Sequence, residues 1–282
     1  MTRLATPAPQ PGARHGIPVR MTRLSKRFET ETGEEVVALR ELSLDVAPGE
    51  FVAVVGPSGC GKSTLLSIVA GLERPSAGTL EIDGAPSTAP HPRSGVVFQS
   101  DYLLPWRTIL QNVLLPIEIK RLDRAAHLPV AEDLLREVGL EGFGAKLPHE
   151  LSGGMRQRAA ICRAIIQRPG LLLMDEPFGA LDALTREQMI TDLQSLWTSW
   201  GNTVIFITHG IDEAVFLADR VVVLSPRPGR IDLDLTIDLP RPRRWPDTHT
   251  DPRFQEALVE IRRCFERRGV LHGPAEPRPG GP

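Results

Sequence analysis

The richest chemistry in the sequence lies in nine consecutive residues. Gly56, Pro57, Ser58, Gly59, Cys60, Gly61, Lys62, Ser63 and Thr64 fit the pattern GxxxxGK[ST], directly after the apolar run Phe51 to Val55 and directly before an apolar helical stretch, about Lys62 to Ala70. Glycines let successive backbone N–H groups turn inward as an anion-binding nest, and the helix start adds partial positive charge. Lys62, one of only 4 lysines against 29 arginines, would reach the β- and γ-phosphates, and the Ser63 hydroxyl would ligate Mg²⁺. An accidental Lys-Ser in a glycine turn would not have a strand before it and a helix after it. The spacing predicts a site for a nucleoside triphosphate. Leu171 to Met174 then reads as a buried strand that delivers Asp175 and Glu176 to its C-terminal end, where open α/β sheets place their ligands. Asp175 would hold Mg²⁺ through water, and Glu176 is placed to polarise an attacking water as general base.

A second phosphate-binding helix start lies 90 residues beyond Lys62. Ser152 is a good N-cap, and Gly153 and Gly154 expose the first-turn N–H groups of a helix carrying Ala159, Ile161, Cys162, Ile165 and Ile166. A capped helix start alone is common. One nucleotide, however, does not need two separate phosphate-binding helix ends from one chain. A composite site across a two-fold dimer does, each protomer lending its Ser-Gly-Gly helix to the other's phosphate loop.

With these residues in place the sequence resembles the ATP-binding subunits of ABC transporters. Leu151-Ser152-Gly153-Gly154-Met155 matches the family signature, lying between the phosphate loop (Walker A) and the Asp-Glu strand, and the resemblance covers about residues 20–235. It implies further site residues. Gln99 resembles the Q-loop glutamine that contacts Mg²⁺ and water, Asp182 in Ala180-Leu181-Asp182 belongs to the D-loop, and His209 matches the switch histidine that senses the γ-phosphate. Phe28 takes the place of the aromatic that stacks on adenine. Two positions depart from the family: Met155 replaces the usual Gln, and Gly210 stands where many relatives carry an acid, which puts a local hydrogen bond in doubt.

Several elements must position these groups. Alternating apolar residues between Met21 and Val46 predict antiparallel strands with one wet face. Phe51–Val55, Gly95–Phe98, Leu171–Met174, Thr203–Ile207 and Arg220–Leu224 predict buried strands separated by helical patterns. The expected fold is therefore an α/β P-loop NTPase with a mainly parallel core sheet, an antiparallel β subdomain and an inserted helical subdomain over about residues 100–165. Residues 1–19, rich in proline and without an apolar core, are expected to be a disordered leader. The nucleotide-binding domain spans 20–239, a linker and amphipathic helix occupy 240–272, and a Gly/Pro-rich tail, 273–282, is expected to be disordered. Met-Thr-Arg-Leu occurs at 1–4 and again at 21–24, which makes Met21 an alternative start.

Composition narrows the partners. With 33 basic and 35 acidic residues there is no charge-based case for binding nucleic acid. No apolar run approaches the roughly 20 residues needed to cross a bilayer. Three separated cysteines exclude a zinc-finger spacing and a disulfide framework. Only 51 residues separate Gln99 from Leu151, too few for the long coiled coil of repair ATPases. The finer resemblance, carried by Leu103 to Thr108, Pro177 to Asp182 and Leu224 to Ile231, is to importer ATPases of the nitrate, sulfonate, taurine and bicarbonate type. It implies an ATP-sandwich homodimer at the cytoplasmic face of the cell membrane, separate integral-membrane permease subunits and, indirectly, a periplasmic or extracellular solute-binding protein. The alternative is a soluble or lipid-extracting ABC ATPase with another partner. Leu103-Leu104-Pro105-Trp106 would receive the permease or form core of the helical subdomain.

Overall fold

The computed structural model describes residues 15–179 and 181–270. Two strands open the chain, β1 (Val19–Glu29) and β2 (Glu35–Val46), followed by β3 (Phe51–Val55), the helix α1 (Lys62–Val69), β4 (Ala77–Ile82), the two-residue β5 (Ala85–Pro86) and β6 (Ser94–Val97). Four helices come next: α2 (Ile109–Val113), α3 (Leu115–Ile119), α4 (Arg124–Glu137) and α5 (Gly153–Ile165). The chain then alternates through β7 (Leu171–Asp175), α6 (Ala183–Trp200), β8 (Thr203–Ile207), α7 (Ile211–Leu217), β9 (Arg220–Leu224) and β10 (Ile231–Thr236), and closes with α8 (Trp245–His249) and α9 (Pro252–Arg267).

The strands form two sheets. One is antiparallel, in the order β2-β1-β4-β5, and the other has the order β10-β9-β3-β8-β7-β6, parallel except where β10 pairs antiparallel with β9. Side-chain alternation explains why the parallel strands are apolar throughout. Val52, Val54, Leu171, Leu173, Ile205 and Ile207 face α1 and the antiparallel sheet. Phe51, Ala53, Leu172, Met174, Val204 and Phe206 face the opposite way, into a second core shared with α5, α6, α7 and α9. Each of these side chains larger than Ala53 contributes about 1.5–3 kcal/mol of hydrophobic free energy. In register, Val54 and Asp175 both pair with Ile207. The C-terminal ends of β3, β7 and β8 therefore finish level with one another.

α2 to α5 pack as the helical subdomain around Ile109, Val113, Ile117, Leu134 and Ala160. Asn112 is fully buried there and donates to the carbonyls of Leu104, Arg107 and Thr108, which fixes the loop before α2. α4 starts at Arg124 with an Asp123 cap and continues through Pro129.

The leader boundary needs correction. Residues 1–14 lie outside the described residues, but 15–19 are not disordered. Ile17 and Val19 are 1% exposed, and Ile17 N–H donates to Gly170 O at 3.2 Å. The signal was present as alternation of Ile17, Val19 and Met21. The expected disordered tail lies outside the described residues. In the C-terminal segment, Phe254, Leu258, Ile261 and Phe265 of α9 are buried in the second core.

Candidate functional site

Five strand ends of the parallel sheet deliver the site. β3 runs into the phosphate loop, whose backbone is left-handed at Gly59 (φ 74) and Gly61 (φ 106). At Gly61 a Cβ would also lie 2.7 Å from Leu39 Cδ2 and 2.8 Å from Ala38 O, so a side chain there is excluded both by conformation and by space. The loop closes onto α1, aiming helix N–H groups and the positive dipole end at the same point. Lys62 is 7% exposed. Its ammonium donates to Gly56 O at 2.9 Å and Pro57 O at 3.1 Å, so the cation is held by the loop that it serves. Cys60 is buried and free, and burial pushes its thiol up, which argues against a reactive role.

Ser63 Oγ donates to Asp175 Oδ1 at 3.2 Å, joining β3's loop to the end of β7. Burial pushes the Asp175 carboxyl up, the Ser63 hydrogen bond opposing it. These hard oxygen donors suit Mg²⁺, which takes one or two protein oxygens and completes its octahedron with water and phosphate. Among the described residues no group of three His, Cys, Asp or Glu could form a closed metal cage, and the open Ser63–Asp175 pair fits the ion that the motif implies.

Glu176 follows Asp175 with a left-handed backbone (φ 45), a conformation that costs a non-glycine residue free energy and clusters at functional sites. Its N–H donates to Ile207 O at 2.9 Å, which anchors it to β8. One oxygen, Oε2, accepts from Gln99 Nε2 at 3.3 Å and lies 3.3 Å from His209 Nδ1. Gln99 comes from the end of β6 and His209 from the end of β8, so three chain segments meet at one carboxylate.

Of these groups Lys62, Ser63, Gln99 and Glu176 border a cleft of about 340 Å³ whose wall also includes Phe28 and Gly59, while Asp175 and His209 stand behind that wall, in contact with Ser63 and Glu176. A larger groove, about 590 Å³, lies along β1, β2 and β4 and contains none of the predicted site residues. Chemistry rather than size singles out the smaller cleft. Phe28 stands 39% exposed at its rim, with Lys26 Nζ 4.8 Å from the ring centroid. That ammonium is itself tethered to Glu73 at 2.6 Å and Arg74 O at 2.9 Å, so the ring is backed by a fixed cation.

Ser152, Gly153 and Gly154 are elsewhere. Ser152 caps α5 by accepting from Met155 N–H at 3.3 Å, and none of the three lines the phosphate cleft. Asp182 does not line it either; it caps α6, accepting from Thr185 N–H at 3.0 Å, and hydrogen bonding from Thr185, side chain first, holds its carboxyl below the usual range. Ala180 lies outside the described residues. The structure thus brings together one set of predicted residues and leaves the other set facing outward.

Three residues escaped sequence reasoning. Glu213, 8% exposed, accepts from Thr208 Oγ1 at 2.6 Å and lies 3.6 Å from Arg186 Nε, linking the loop of His209 to α6. Burial pushes its carboxyl up, with Thr208 and Arg186 opposing. Arg186 in turn donates to Leu181 O at 3.0 Å. Glu213 also accounts for Gly210, since a Cβ there would sit 2.8 Å from Glu213 Cδ. The third is Arg227, on the wall of the phosphate cleft. Its signal was the Pro/Gly turn after β9, which has no chemical pattern of its own.

Comparison with known proteins agrees with this geometry. A family model described as ABC transporter matches residues 39–179. The taurine import ATP-binding protein of Rhizobium johnstonii is 45% identical over 251 residues, which cover 87% of this chain and 93% of that protein. The nitrate import ATP-binding protein of Synechococcus elongatus is 43% identical over 237 residues, 83% of this chain and 36% of that longer protein. Among solved structures, the dimeric post-hydrolysis state of an ATP-binding cassette bound to ADP and Pi is similar at a TM-score of 0.70 and 31% identity, over 78% of this chain and 99% of that one.

Proposed function

The chain belongs to the ABC transporter family as an ATP-binding cassette with ATPase activity, and from this premise we propose that it powers uptake of a small anionic solute through separate permease subunits. The observation that carries the proposal is the path from Gln99. Its amide touches the Glu176 carboxylate, and a few residues onward Tyr102 and Trp106 are 66% and 72% exposed. A membrane partner bound at these aromatics would sit one short loop from the carboxylate that hydrolyses ATP. Of the expected apolar cluster, Leu103 is buried and Trp106 is not, so the docking face is the aromatic rim. The names of the taurine and nitrate import relatives support import of a small solute that carries an anionic group, sulfonate or nitrate.

In the proposed mechanism the loop N–H groups and Lys62 hold the phosphate chain, and Phe28 stacks on the base. Mg²⁺, when bound at Ser63 and Asp175 with Gln99 nearby, would neutralise phosphate charge. Glu176 takes the proton of the attacking water. Gln99 and His209 fix its carboxylate, and His209 also faces the γ-phosphate. Ser152, Gly153 and Gly154 complete the site from a second copy, as does Asp182 across the interface. Two copies close on two ATP molecules, and hydrolysis reopens them. No helix among the described residues is long and apolar enough to cross a membrane, which supports peripheral attachment at the cytoplasmic face, with a solute-binding protein meeting the permease on the other side.

The test is isolation of tagged Glu176→Gln protein from its native membranes in detergent with ATP, followed by mass spectrometry. A multi-span permease in fixed ratio to the cassette is the expected result. A soluble or lipoprotein-extracting partner in its place overturns the import reading and leaves the ATPase chemistry intact.

A further inference from the structure

The turn between β9 and β10, Ser225-Pro226-Arg227-Pro228-Gly229-Arg230, is built as a strap across the phosphate loop. Ser225 locks it from within: its hydroxyl bonds the carbonyls of Pro226 and Pro228 at 3.0 Å each and accepts from Arg230 N–H at 3.0 Å. Gly229 fastens it outward, donating to Ala38 O at 2.9 Å and accepting from Arg40 N–H at 3.0 Å. Contact with the loop is close. A Cβ at Gly229 would stand 2.2 Å from Cys60 O, so only glycine permits this approach.

Arg227 projects from the strap onto the same loop. Nε donates to Gly59 O at 3.2 Å, and the side chain forms part of the cleft wall with Phe28 and Lys62. The other guanidinium N–H groups have no acceptor among the described residues. The cleft wall thus carries two cations held by different loop carbonyls, Lys62 on Gly56 and Pro57 and Arg227 on Gly59, against one carboxylate, Glu176. An arginine fork with free donors beside an anion nest matches the geometry of phosphate oxygens better than a point charge would.

We propose that Arg227 is a nucleotide-contacting residue: it braces the phosphate loop through Gly59 and presents its remaining N–H groups to the phosphate chain of a nucleoside di- or triphosphate. The proposal rests on the reading of this cleft as the nucleotide site. It gives the Ser225–Arg230 turn a chemical task, and it makes affinity depend on a segment 160 residues beyond the loop.

The test is equilibrium binding of MgADP to the full chain at low and high salt, for wild type, Arg227→Ala, Arg227→Lys and Lys62→Ala, with thermal unfolding of each free protein. Arg227→Ala is expected to weaken MgADP about tenfold, the scale of one charge-assisted hydrogen bond. Its affinity should also be less sensitive to salt, its Tm should stay near wild type, and Arg227→Lys should recover part of the loss. In ATPase assays the drop in kcat/KM should appear mainly in KM. Unchanged MgADP affinity in Arg227→Ala overturns the proposal. So does an affinity loss that tracks a fall in Tm and is not recovered by lysine, because the residue would then only brace the loop. If Lys62→Ala also binds like wild type, it is the cleft reading itself that fails.

Discussion

The phosphate loop and the start of α5 both combine glycines with free helix N–H groups, and on the proposed function both bind phosphate, yet they are finished to different degrees. In the cleft every charged group already has protein company: Lys62 rests on two carbonyls, Ser63 on Asp175, and Glu176 between Gln99 and His209. At α5, Ser152 bonds only its own helix turn, and no catalytic side chain faces it. The first region is a site and the second is half of one. On the proposed function, this molecule stores its reacting groups in one place and the helix start that completes them in another, and two copies would meet to join them.

The largest effect that would test this contrast is at Glu176. Glu176→Gln keeps the hydrogen bond from Gln99 and loses the base, so turnover should fall about 10²–10⁴-fold, while ATP should hold the variant as a dimer on size-exclusion chromatography. Hydrolysis at the wild-type rate would remove the general-base role.

Gly153→Asp acts only on the half-site. An acid in the first turn suits the helix dipole, worth about 0.3–1 kcal/mol, but would repel an arriving phosphate. The variant should fold normally and hydrolyse poorly. Mixed with Lys62→Ala protomers it should regain activity, because the heterodimer gathers both defects into one site and leaves the other whole. Mixtures no more active than their parents would mean that the two regions do not complete each other across an interface.

Glu213 ties the loop of His209, through Thr208, to α6 and the Leu181 carbonyl, through Arg186. Burial raises its pKa in the folded state above that of the unfolded chain, with Thr208 and Arg186 opposing. The stability this contributes is complete below the unfolded carboxyl value, about pH 4.3, and is lost as pH rises through the raised folded value. Glu213→Gln cannot titrate. Urea midpoints measured from pH 4 upward should show wild type losing stability relative to the variant as pH rises. Parallel profiles would remove Glu213 as a buried titrating link.

The smallest effect belongs to Met155. Its backbone N–H caps onto Ser152 and its side chain packs against the core, so Met155→Gln should change stability by less than about 0.5 kcal/mol and ATPase rate by less than twofold. A larger change in rate alone would mean that this side chain reaches the partner's nucleotide.

The legible parts of the fold share one property: their meaning is local. The loop from Gly56 to Thr64 and the run from Leu171 to Glu176 carry strand, turn and ligand chemistry in adjacent positions, so pattern alone located them. Buried strands were readable because both faces of the parallel sheet are covered. Arg227, Glu213 and Arg186 were not, since each acquires its role from a residue brought close by the fold: Gly59, Thr208 and Leu181. Ile17 was misread for a different reason. Its alternation with Val19 and Met21 is a strand signal, but a proline-rich approach and Pro18 within it masked the period.

The strand order sets a schedule for the molecule's birth. β3 lies between β8 and β9, and the last residue of β9, Leu224, is 160 positions beyond Thr64. At about 5–20 residues per second of synthesis, the phosphate loop would emerge from the ribosome roughly 8–30 s before its strand has both neighbours. Until β8 (Thr203–Ile207) is made, β3 has five apolar residues and neither of its sheet neighbours, and until β9 it lacks one of them. The nascent chain therefore spends its most aggregation-prone moments holding its most valuable motif, and a chaperone acting on this protein would have to cover residues 51–64 until β9 arrives.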